Sequence, residues 1–267
     1  MTPNVNSGQD LDFPPYLAVL AVDAKGFTSE PSVQHQTISE LIPALAEDVL
    51  IECGLQEAWK HPHFYGSTGD GFAVGLPTEI LPTLVFPFLD LLQDRLAAHD
   101  RRRRHHEPRI RLRVSLNVGP LPTQAPDRYL AGNGTERNNT HRLLDSVPIK
   151  AVLASTSPDV TFVAAILSDR LFQDVVIGRY CGLHPDSFIP VSATVEGKTF
   201  GQQAWVYVPR LSGSLLAVGL PAAEGAAAIK RDTANAVIDD SAPAGIYAPS
   251  NTGQVAKNVR GGMHQQR

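Results

Sequence analysis

One apolar run near the N-terminus constrains this chain more than any other feature. Residues 16–22 read YLAVLAV and are followed directly by Asp23. A near-continuous apolar run of this length, bounded by a charged residue, is typical of a buried β-strand. We therefore expect a buried strand that delivers the Asp23 carboxylate to its end.

The remaining pattern mixes helices, strands and hairpins. Apolar residues recur at three- and four-residue steps over 32–55, which predicts an amphipathic helix that packs on the first strand. Residues 63–76 predict two short strands around a turn. Residues 110–118 alternate between apolar and polar side chains, which predicts a strand with one solvent-exposed face. The pattern also predicts helices at 81–99 (with Pro87 as a kink), 138–152 and 168–176, and strands at 161–167, 188–195 and 204–208. Such alternation, without a strict βαβ repeat, favours an α+β sandwich.

Length and composition set the domain organisation. A chain of 267 residues with 43% hydrophobic residues can bury one full-sized core. We expect a flexible N-terminus at 1–13, one domain at 14–211 and a tail at 212–267. The tail is rich in Ala, Gly, Pro, Ser and Asn without apolar periodicity, which is typical of disorder.

Charge and cysteine content exclude several classes of protein. A net charge of -4 argues against a dedicated nucleic-acid binder. Two distant cysteines, Cys53 and Cys181, argue against a disulfide scaffold and a zinc module. No apolar run approaches the length of about 18 residues that a membrane span needs. We expect a cytoplasmic protein without nucleic-acid or membrane partners.

Two aspartates form the first part of a candidate site. Asp23 ends the first strand, and Asp70 lies in Gly69-Asp70-Gly71 on the predicted hairpin. Two carboxylates at the ends of adjacent strands suit Mg²⁺ or Mn²⁺ bridged to a triphosphate, because these ions keep few protein ligands and share phosphate oxygens. Taken alone, Asp70 also fits a plain turn, and Asp23 also fits a cap of the following segment.

Polar residues later in the chain form the second part. Asn138 and Arg142 are four residues apart in a predicted helix and so project from one face. Asn138 offers a hydrogen-bonding amide, and Arg142 offers a guanidinium that can bind phosphate through two hydrogen bonds. Lys198 follows Gly197 in the last hairpin and offers an ammonium group. The alternatives without a catalytic role are that Asn138 caps its helix and that Lys198 is an ordinary solvent-exposed lysine.

In combination, these motifs resemble the catalytic domain of the class III nucleotidyl cyclases over about residues 14–210. The resemblance rests on Asp23 with Gly26-Phe27-Thr28, on Gly69-Asp70, on Asn138 to Arg142, and on Glu196-Gly197-Lys198 in place of a Lys-Gly-Lys hairpin. The segment from Arg113 to Pro120 matches the family less well, because the first glycine of the pattern R-x-G-x-x-x-G is absent.

The resemblance implies a ferredoxin-like α/β sandwich and a head-to-tail homodimer with two composite sites. One chain would bind two Mn²⁺ or Mg²⁺ ions through Asp23, Asp70 and the carbonyl of Ala24. One ion would help to deprotonate the ribose 3′-hydroxyl and the other would hold the triphosphate, while the 3′-oxygen attacks the α-phosphorus and pyrophosphate leaves.

The second chain would supply the remaining groups. Asn138 would orient the ribose, Arg142 would neutralise charge on the α-phosphate and Lys198 would hold the β- and γ-phosphates. Phe27, in the motif that follows Asp23, is a further candidate for substrate binding.

The departures from the family concern the base. Adenylate cyclases of this class resemble one another in a lysine and an aspartate where this chain has Gly66 and Thr135, and the acidic residue of guanylate cyclases is also absent at Gly66. Thr135 offers a neutral hydrogen bond, and Tyr65 offers an aromatic face and a hydroxyl, unless Tyr65 belongs to the core. A smaller, uncharged base is therefore expected.

A stand-alone cyclase that lacks the charged base-recognition residues of the purine cyclases resembles the Pycsar anti-phage cyclases, which make cyclic UMP or cyclic CMP. We expect a uridylate cyclase whose product is read by a separate effector protein. The alternatives are a cytidylate or adenylate cyclase in signalling, and a degenerate cyclase-like domain that binds nucleotide without turnover.

Overall fold

Seven strands form one mixed sheet in the computed structural model, which describes residues 13–104, 107–123 and 131–215. The strands are β1 (Tyr16–Ala24), β2 (Phe64–Ser67), β3 (Gly71–Leu76), β4 (Leu112–Pro120), β5 (Val163–Ser168), β6 (Ile189–Thr194) and β7 (Gly201–Tyr207). Their order across the sheet is β2-β3-β1-β4-β5-β7-β6. The apolar run predicted as a buried strand is thus an interior strand, antiparallel to β3 and β4, while β4 and β5 run parallel.

Most helices follow the predicted segments with different boundaries, but the helix at 56–60 was not predicted and the predicted helix at 138–152 is two helices. They are α1 (Ser32–Glu52), α2 (Gln56–Lys60), α3 (Leu81–Val85), α4 (Phe88–Arg102), α5 (Thr135–Leu144), α6 (Val147–Ser155) and α7 (Asp169–Leu171), which continues as a π-helix at Phe172–Ile177. Short 3-10 turns lie at Phe27–Ser29, Thr78–Ile80 and Pro185–Ser187. The predicted helix at 81–99 is two helices, because Phe86 is extended before Pro87, as residues that precede proline prefer.

The helices cover both faces of the sheet. Alternate β1 residues such as Leu20 pack with α1 and α4, whereas Leu17, Val19 and Ala21 pack with Leu144 of α5. Side chains alternate along a strand, so Asp23 lies on the α5 side of β1. Both faces of β1 are therefore buried, as expected.

The prediction of one solvent-exposed face for residues 110–118 is wrong. Ser115 and Asn117 of β4 are buried, because α5 packs across the face on which they lie. The Asn117 side-chain amide donates to the backbone carbonyl of Glu136 at 3.2 Å and to its carboxylate at 3.0 Å. The polar residues of this strand therefore contact a helix instead of solvent.

The fold continues a little past residue 211. Ser212 accepts a hydrogen bond from the backbone amide of Ser157 at 3.0 Å, and Leu215 is buried in a cluster with Ile149 and Val152. Residues 1–12 and 216–267, which include most of the predicted N-terminal segment and tail, lie outside the described residues. Within the described ranges, no helix is both long and apolar enough to cross a membrane.

Candidate active site

Asp23 and Asp70 lie beside each other at one end of the sheet. Asp23 pairs with Gly71 of β3 in the β1–β3 register, and the backbone amide of Ala24 donates to the carbonyl of Asp70 at 2.9 Å. The turn before Asp70 is fixed by Ser39 of α1, whose hydroxyl donates to the carbonyl of Gly69. The two predicted metal-binding aspartates and Ala24 are thus held together by backbone bonds.

Arg113 of β4 forms a bidentate ion pair with Asp23. Its Nε donates to Oδ1 at 2.8 Å and its Nη2 donates to Oδ2 at 2.7 Å. The exposed fractions of the two side chains are 13% and 11%, so the pair is largely shielded from water. Sequence reasoning cited Arg113 only as part of a family pattern and missed this contact, because it depends on the register that places Arg113 opposite Asp23.

The surroundings of Asp23 perturb its titration strongly. Burial raises the pKa of this carboxyl from 3.8 to about 7, Arg113 opposes the rise, and the charges of Asp70 and Asp145 add to it. The influence of Asp70 and Asp145 indicates that several acidic groups share this end of the sheet. A carboxylate in this situation gains from a nearby cation.

The donor set fits a hard divalent cation. Both oxygens of Asp23 accept from Arg113, yet a carboxylate has about four lone-pair sites, so each oxygen keeps capacity for a second partner. Asp70 adds a second carboxylate, and a cation between the two would relieve their repulsion. Among the residues that the structure describes, no group of three or more His, Cys, Asp and Glu side chains is placed to hold a metal ion. Binding would therefore depend on Asp23, Asp70 and backbone oxygen such as that of Ala24.

Three cationic side chains, Lys25, Arg111 and Arg113, lie at the same end of the sheet as Asp23. Lys25 donates from Nζ to the carbonyl of Leu153 at 3.2 Å, and burial, Arg111 and Arg113 all lower the pKa of its ammonium group. Arg111 is buried and donates from Nε to the carbonyl of Thr161 at 2.8 Å. Three cations beside two carboxylates suit a ligand that carries several negative charges and its counter-ions.

Phe27 lies in the 3-10 turn that follows β1. Gly26 before it has φ +83°, a left-handed conformation that favours glycine. The Phe27 ring stacks on His35 of α1 with centroids 4.3 Å apart. The predicted substrate-binding motif is therefore fixed to the helix that covers the sheet.

Arg142 contacts Phe200 at the end of the β6–β7 turn, and Lys198 lies within that turn. The Arg142 guanidinium is 5.6 Å from the centroid of the Phe200 ring, and its Nη1 is 3.5 Å from Oδ1 of Asn139. Lys198 is exposed in the turn, next to Gly197 with φ +71°. Asn138 is exposed on α5, one helical turn before Arg142.

The register places the β6–β7 turn and the two aspartates at opposite ends of the sheet. β7 runs parallel to β1, because β1 and β4 are antiparallel, β4 and β5 are parallel, and β5 and β7 are antiparallel. The turn before Gly201, where β7 begins, is therefore level with the start of β1, whereas Asp23 is near its end. Asp23 is seven positions after Tyr16, which corresponds to about 23 Å at the usual strand rise. We call Asp23, Asp70, Arg113 and Lys25 the carboxylate end, and Arg142, Lys198 and Phe200 the hairpin end.

The predicted base-recognition residues are divided between the two faces of the sheet. Thr135 is exposed at the start of α5. Gly66 lies on the α5 side, where a side chain would overlap the guanidinium of Arg137. Tyr65 packs on the other side, with its ring 5.9 Å from Trp59 and 5.8 Å from Phe72. The structure thus does not bring Tyr65 together with Thr135, and its contacts favour the core alternative.

A polar cavity of about 480 Å³ opens beside α5 on the same side as the hairpin end. Its walls come from the end of β4, the first turns of α5, the segment after β5 and the start of β7. The lining includes Asn117, Glu136, Asn139, Arg170, Gln202 and Gln203. A cavity of this size is within the usual range for small-molecule sites.

Comparison with solved structures establishes the fold. The guanylyl cyclase Cya2 superposes with a TM-score of 0.50 at 14% identity, covering 75% of this chain and 95% of that one. A bacterial light-regulated adenylyl cyclase superposes with a TM-score of 0.51 at 11% identity, covering 74% of this chain and 54% of that one. No family model and no curated protein matches the sequence. The predicted α+β fold of class III cyclase catalytic domains is therefore confirmed.

Proposed function

We propose that this protein is a nucleotidyl cyclase that converts UTP to 3′,5′-cyclic UMP and pyrophosphate. The observation that carries the proposal is the division of the site: Asp23 and Asp70 lie at one end of the sheet, Lys198 lies in the turn at the other end, and Arg142 of α5 contacts Phe200 beside that turn. Chemistry on a triphosphate needs carboxylates for a divalent cation and fixed cationic donors together. A homodimer in which the carboxylate end of one copy meets the hairpin end of the other supplies both, twice.

The carboxylate end would hold Mg²⁺ or Mn²⁺, two ions per site, through Asp23, Asp70 and the Ala24 carbonyl. Such cations, when bound, lower the pKa of the ribose 3′-hydroxyl and neutralise triphosphate charge. Arg113 keeps the Asp23 carboxylate in one orientation before any ligand arrives. Lys25 and Arg111 add positive potential that attracts the polyanionic substrate.

The hairpin end would act on the reacting groups. Asn138 orients the ribose so that the 3′-oxygen faces the α-phosphorus. That oxygen attacks, its proton passes to solvent, the bond from the α-phosphorus to the β-phosphate oxygen breaks, and pyrophosphate leaves. Arg142 donates hydrogen bonds to the α-phosphate oxygens as their charge grows, and Lys198 holds the β- and γ-phosphates.

The pyrimidine preference is supported by the residues near Gly66. The charged pair of the purine cyclases is absent at Gly66 and Thr135. The space over Gly66 is also filled by Arg137, which leaves a narrower pocket than an empty glycine position would. A smaller base fits such a pocket with fewer unpaired polar groups.

The direct test is incubation of the purified protein with each of the four ribonucleotides and Mn²⁺, followed by chromatography of the products. We expect cyclic UMP as the main product, and its loss in Asp23→Ala and Asp70→Ala, because each variant removes an ion ligand. Asp48→Ala is the matched control, since Asp48 is an exposed aspartate on α1.

Each other outcome identifies an alternative. A clear preference for ATP would identify the protein as an adenylate cyclase, and a preference for CTP would identify it as a cytidylate cyclase. Nucleotide binding without any product would identify a degenerate nucleotide-binding module.

The proposal extends to anti-phage defence, with a separate effector protein that reads the cyclic nucleotide. It is supported by the resemblance to the Pycsar cyclases and by the missing purine pair. The test is the cyclic UMP concentration in cells before and after phage infection. A rise with the wild-type protein but not with Asp70→Ala is expected, and no rise in either would contradict this role.

A further inference from the structure

Arg137 occupies the place that Gly66 leaves open. A methyl group on Gly66 would overlap Nη2 of Arg137 and lie 3.4 Å from its Cζ. Arg137 belongs to the first turns of α5, between Thr135 and Asn138. A charged side chain therefore enters the region where the sequence alone indicates only small, neutral residues.

The guanidinium of Arg137 is half-buried among neutral groups. Its Cζ lies 4.9 Å from the centroid of the Phe64 ring, and its Nη1 is 3.4 Å from Oδ1 of Asn133. Burial lowers the pKa of this guanidinium from its ordinary value. Within the part of the chain that the structure describes, no carboxylate lies within ion-pair distance of it. The bond to Asn133 uses one of five N–H donors, so the group has donors to offer a ligand.

We propose that Arg137 reads the base of the nucleotide by donating a hydrogen bond to the O4 carbonyl oxygen of uracil. This inference rests on the proposed cyclase function and names a specificity residue for the same site. It replaces the expectation of an uncharged base pocket, because the positive charge lost at Gly66 is supplied from α5.

The chemistry of the guanidinium explains the preference. Arginine only donates hydrogen bonds, so it suits the O4 carbonyl of uracil and not the N3–H group beside that carbonyl. Adenine and cytosine carry an exocyclic amino group, which is a donor and cannot pair with another donor. Guanine does present acceptors that suit arginine, so it is excluded by size and not by charge. The expected order is UTP first, CTP and GTP lower, and ATP lowest.

The alternative is a structural role in which Arg137 only holds α5 against Phe64. The two roles differ in what a substitution changes. A structural residue alters stability and turnover with all nucleotides alike, whereas a base-reading residue alters the ratio between nucleotides.

The test is kcat/KM for all four nucleotides in the full-length protein, with thermal unfolding measured in parallel. Arg137→Gln should lower the UTP to ATP ratio about 10- to 100-fold, which corresponds to loss of one hydrogen bond from a charged donor. Arg137→Lys should give a smaller fall, because it keeps the charge without the fork of donors. Arg95→Gln is the matched control, since Arg95 is an arginine whose ion pairs with Asp48 and Glu52 lie outside the site, and the ratio should stay unchanged.

Gly66→Ala tests the same idea without touching Arg137. The added methyl must displace Nη2 of Arg137, so the UTP to ATP ratio should fall in the same direction. This variant and Arg137→Lys keep the inference testable if Arg137→Gln does not fold. Ratios within twofold of wild type in the folded variants would overturn the inference alone. A wild-type protein that converts none of the four nucleotides would overturn the proposed function itself.

Discussion

The two ends of the sheet are built differently. At the carboxylate end, Asp23 is buried, paired with Arg113 in two hydrogen bonds and joined to the Asp70 hairpin through a backbone bond. At the hairpin end, Lys198 is exposed and Arg142 is oriented by a ring contact and one long hydrogen bond.

This difference indicates that the two ends of the sheet have different roles. The carboxylate end is fixed by its own chain, so a cation and a phosphate would meet donors already in position. The hairpin end keeps long cationic side chains near solvent, where a second copy could dock. If the site is composite, the rigid half and the adaptable half come from different chains.

The largest effect should come from separating the two ends genetically. Asp70→Ala and Arg142→Ala should each be inactive as homodimers, because both sites of each dimer lack one group. In an equal mixture that exchanges subunits, half of the dimers are heterodimers with one intact site, so activity should recover to about a quarter of wild type. Product formation in the mixture is the measurement.

Two controls make this result decisive. Subunit exchange is confirmed by labelled chains, and a mixture of Asp70→Ala with Asp23→Ala should stay inactive because both changes affect the same half. Inactivity of the first mixture despite exchange would show that each site is built from a single chain.

The next effect concerns stability at the carboxylate end. Arg113→Leu leaves Asp23 buried without its partner, and we expect a loss of about 3 kcal/mol in the free energy of unfolding at pH 8. Arg95→Leu removes an exposed ion pair with Glu52 (2.7 Å) and should cost less than about 1 kcal/mol. Urea unfolding of both variants checks this, and equal losses would contradict the rigid character of this end.

Another effect at the carboxylate end should appear in the pH dependence of the metal-free protein. The pKa of Asp23 is about 7 in the folded state against 3.8 ordinarily, so the folded state binds this proton more tightly. The resulting stability is complete below pH 3.8 and is lost as pH rises through 7, with a slope of about 1.4 kcal/mol per pH unit. Asp23→Asn should flatten that slope, and parallel curves for the two proteins would contradict it.

The sequence predicted the fold because its main signals are local. The apolar run at 16–22 and the turn at 68–71 depend on near neighbours, and both are present in the structure. The prediction of a solvent-exposed face for residues 110–118 is wrong because α5 covers that face. Periodicity along one strand does not reveal which helix packs on it.

The site was predictable only in part. Asp23 and Asp70 follow from strand ends and turn chemistry, and their proximity follows from adjacent strands. The Arg113 ion pair depends on β1–β4 register, and the contact of Arg137 with Gly66 joins residues 71 positions apart. Charge at a site arises from all packed elements, so local pattern alone missed both arginines.

The smallest predicted effect tests whether the hairpin end serves function without contributing much stability. Phe200→Leu removes the ring over which the Arg142 guanidinium lies, a contact worth about 0.5–1 kcal/mol when exposed. We expect kcat/KM for UTP to fall about threefold, since Arg142 would be less well oriented, while Phe200→Tyr keeps the ring and near-native activity. The free energy of unfolding should change by less than about 1 kcal/mol, because Phe200 is only partly buried and leucine retains apolar contact. A loss of several kcal/mol in Phe200→Leu would show that this end is as firmly built as the carboxylate end, and the contrast between them would disappear.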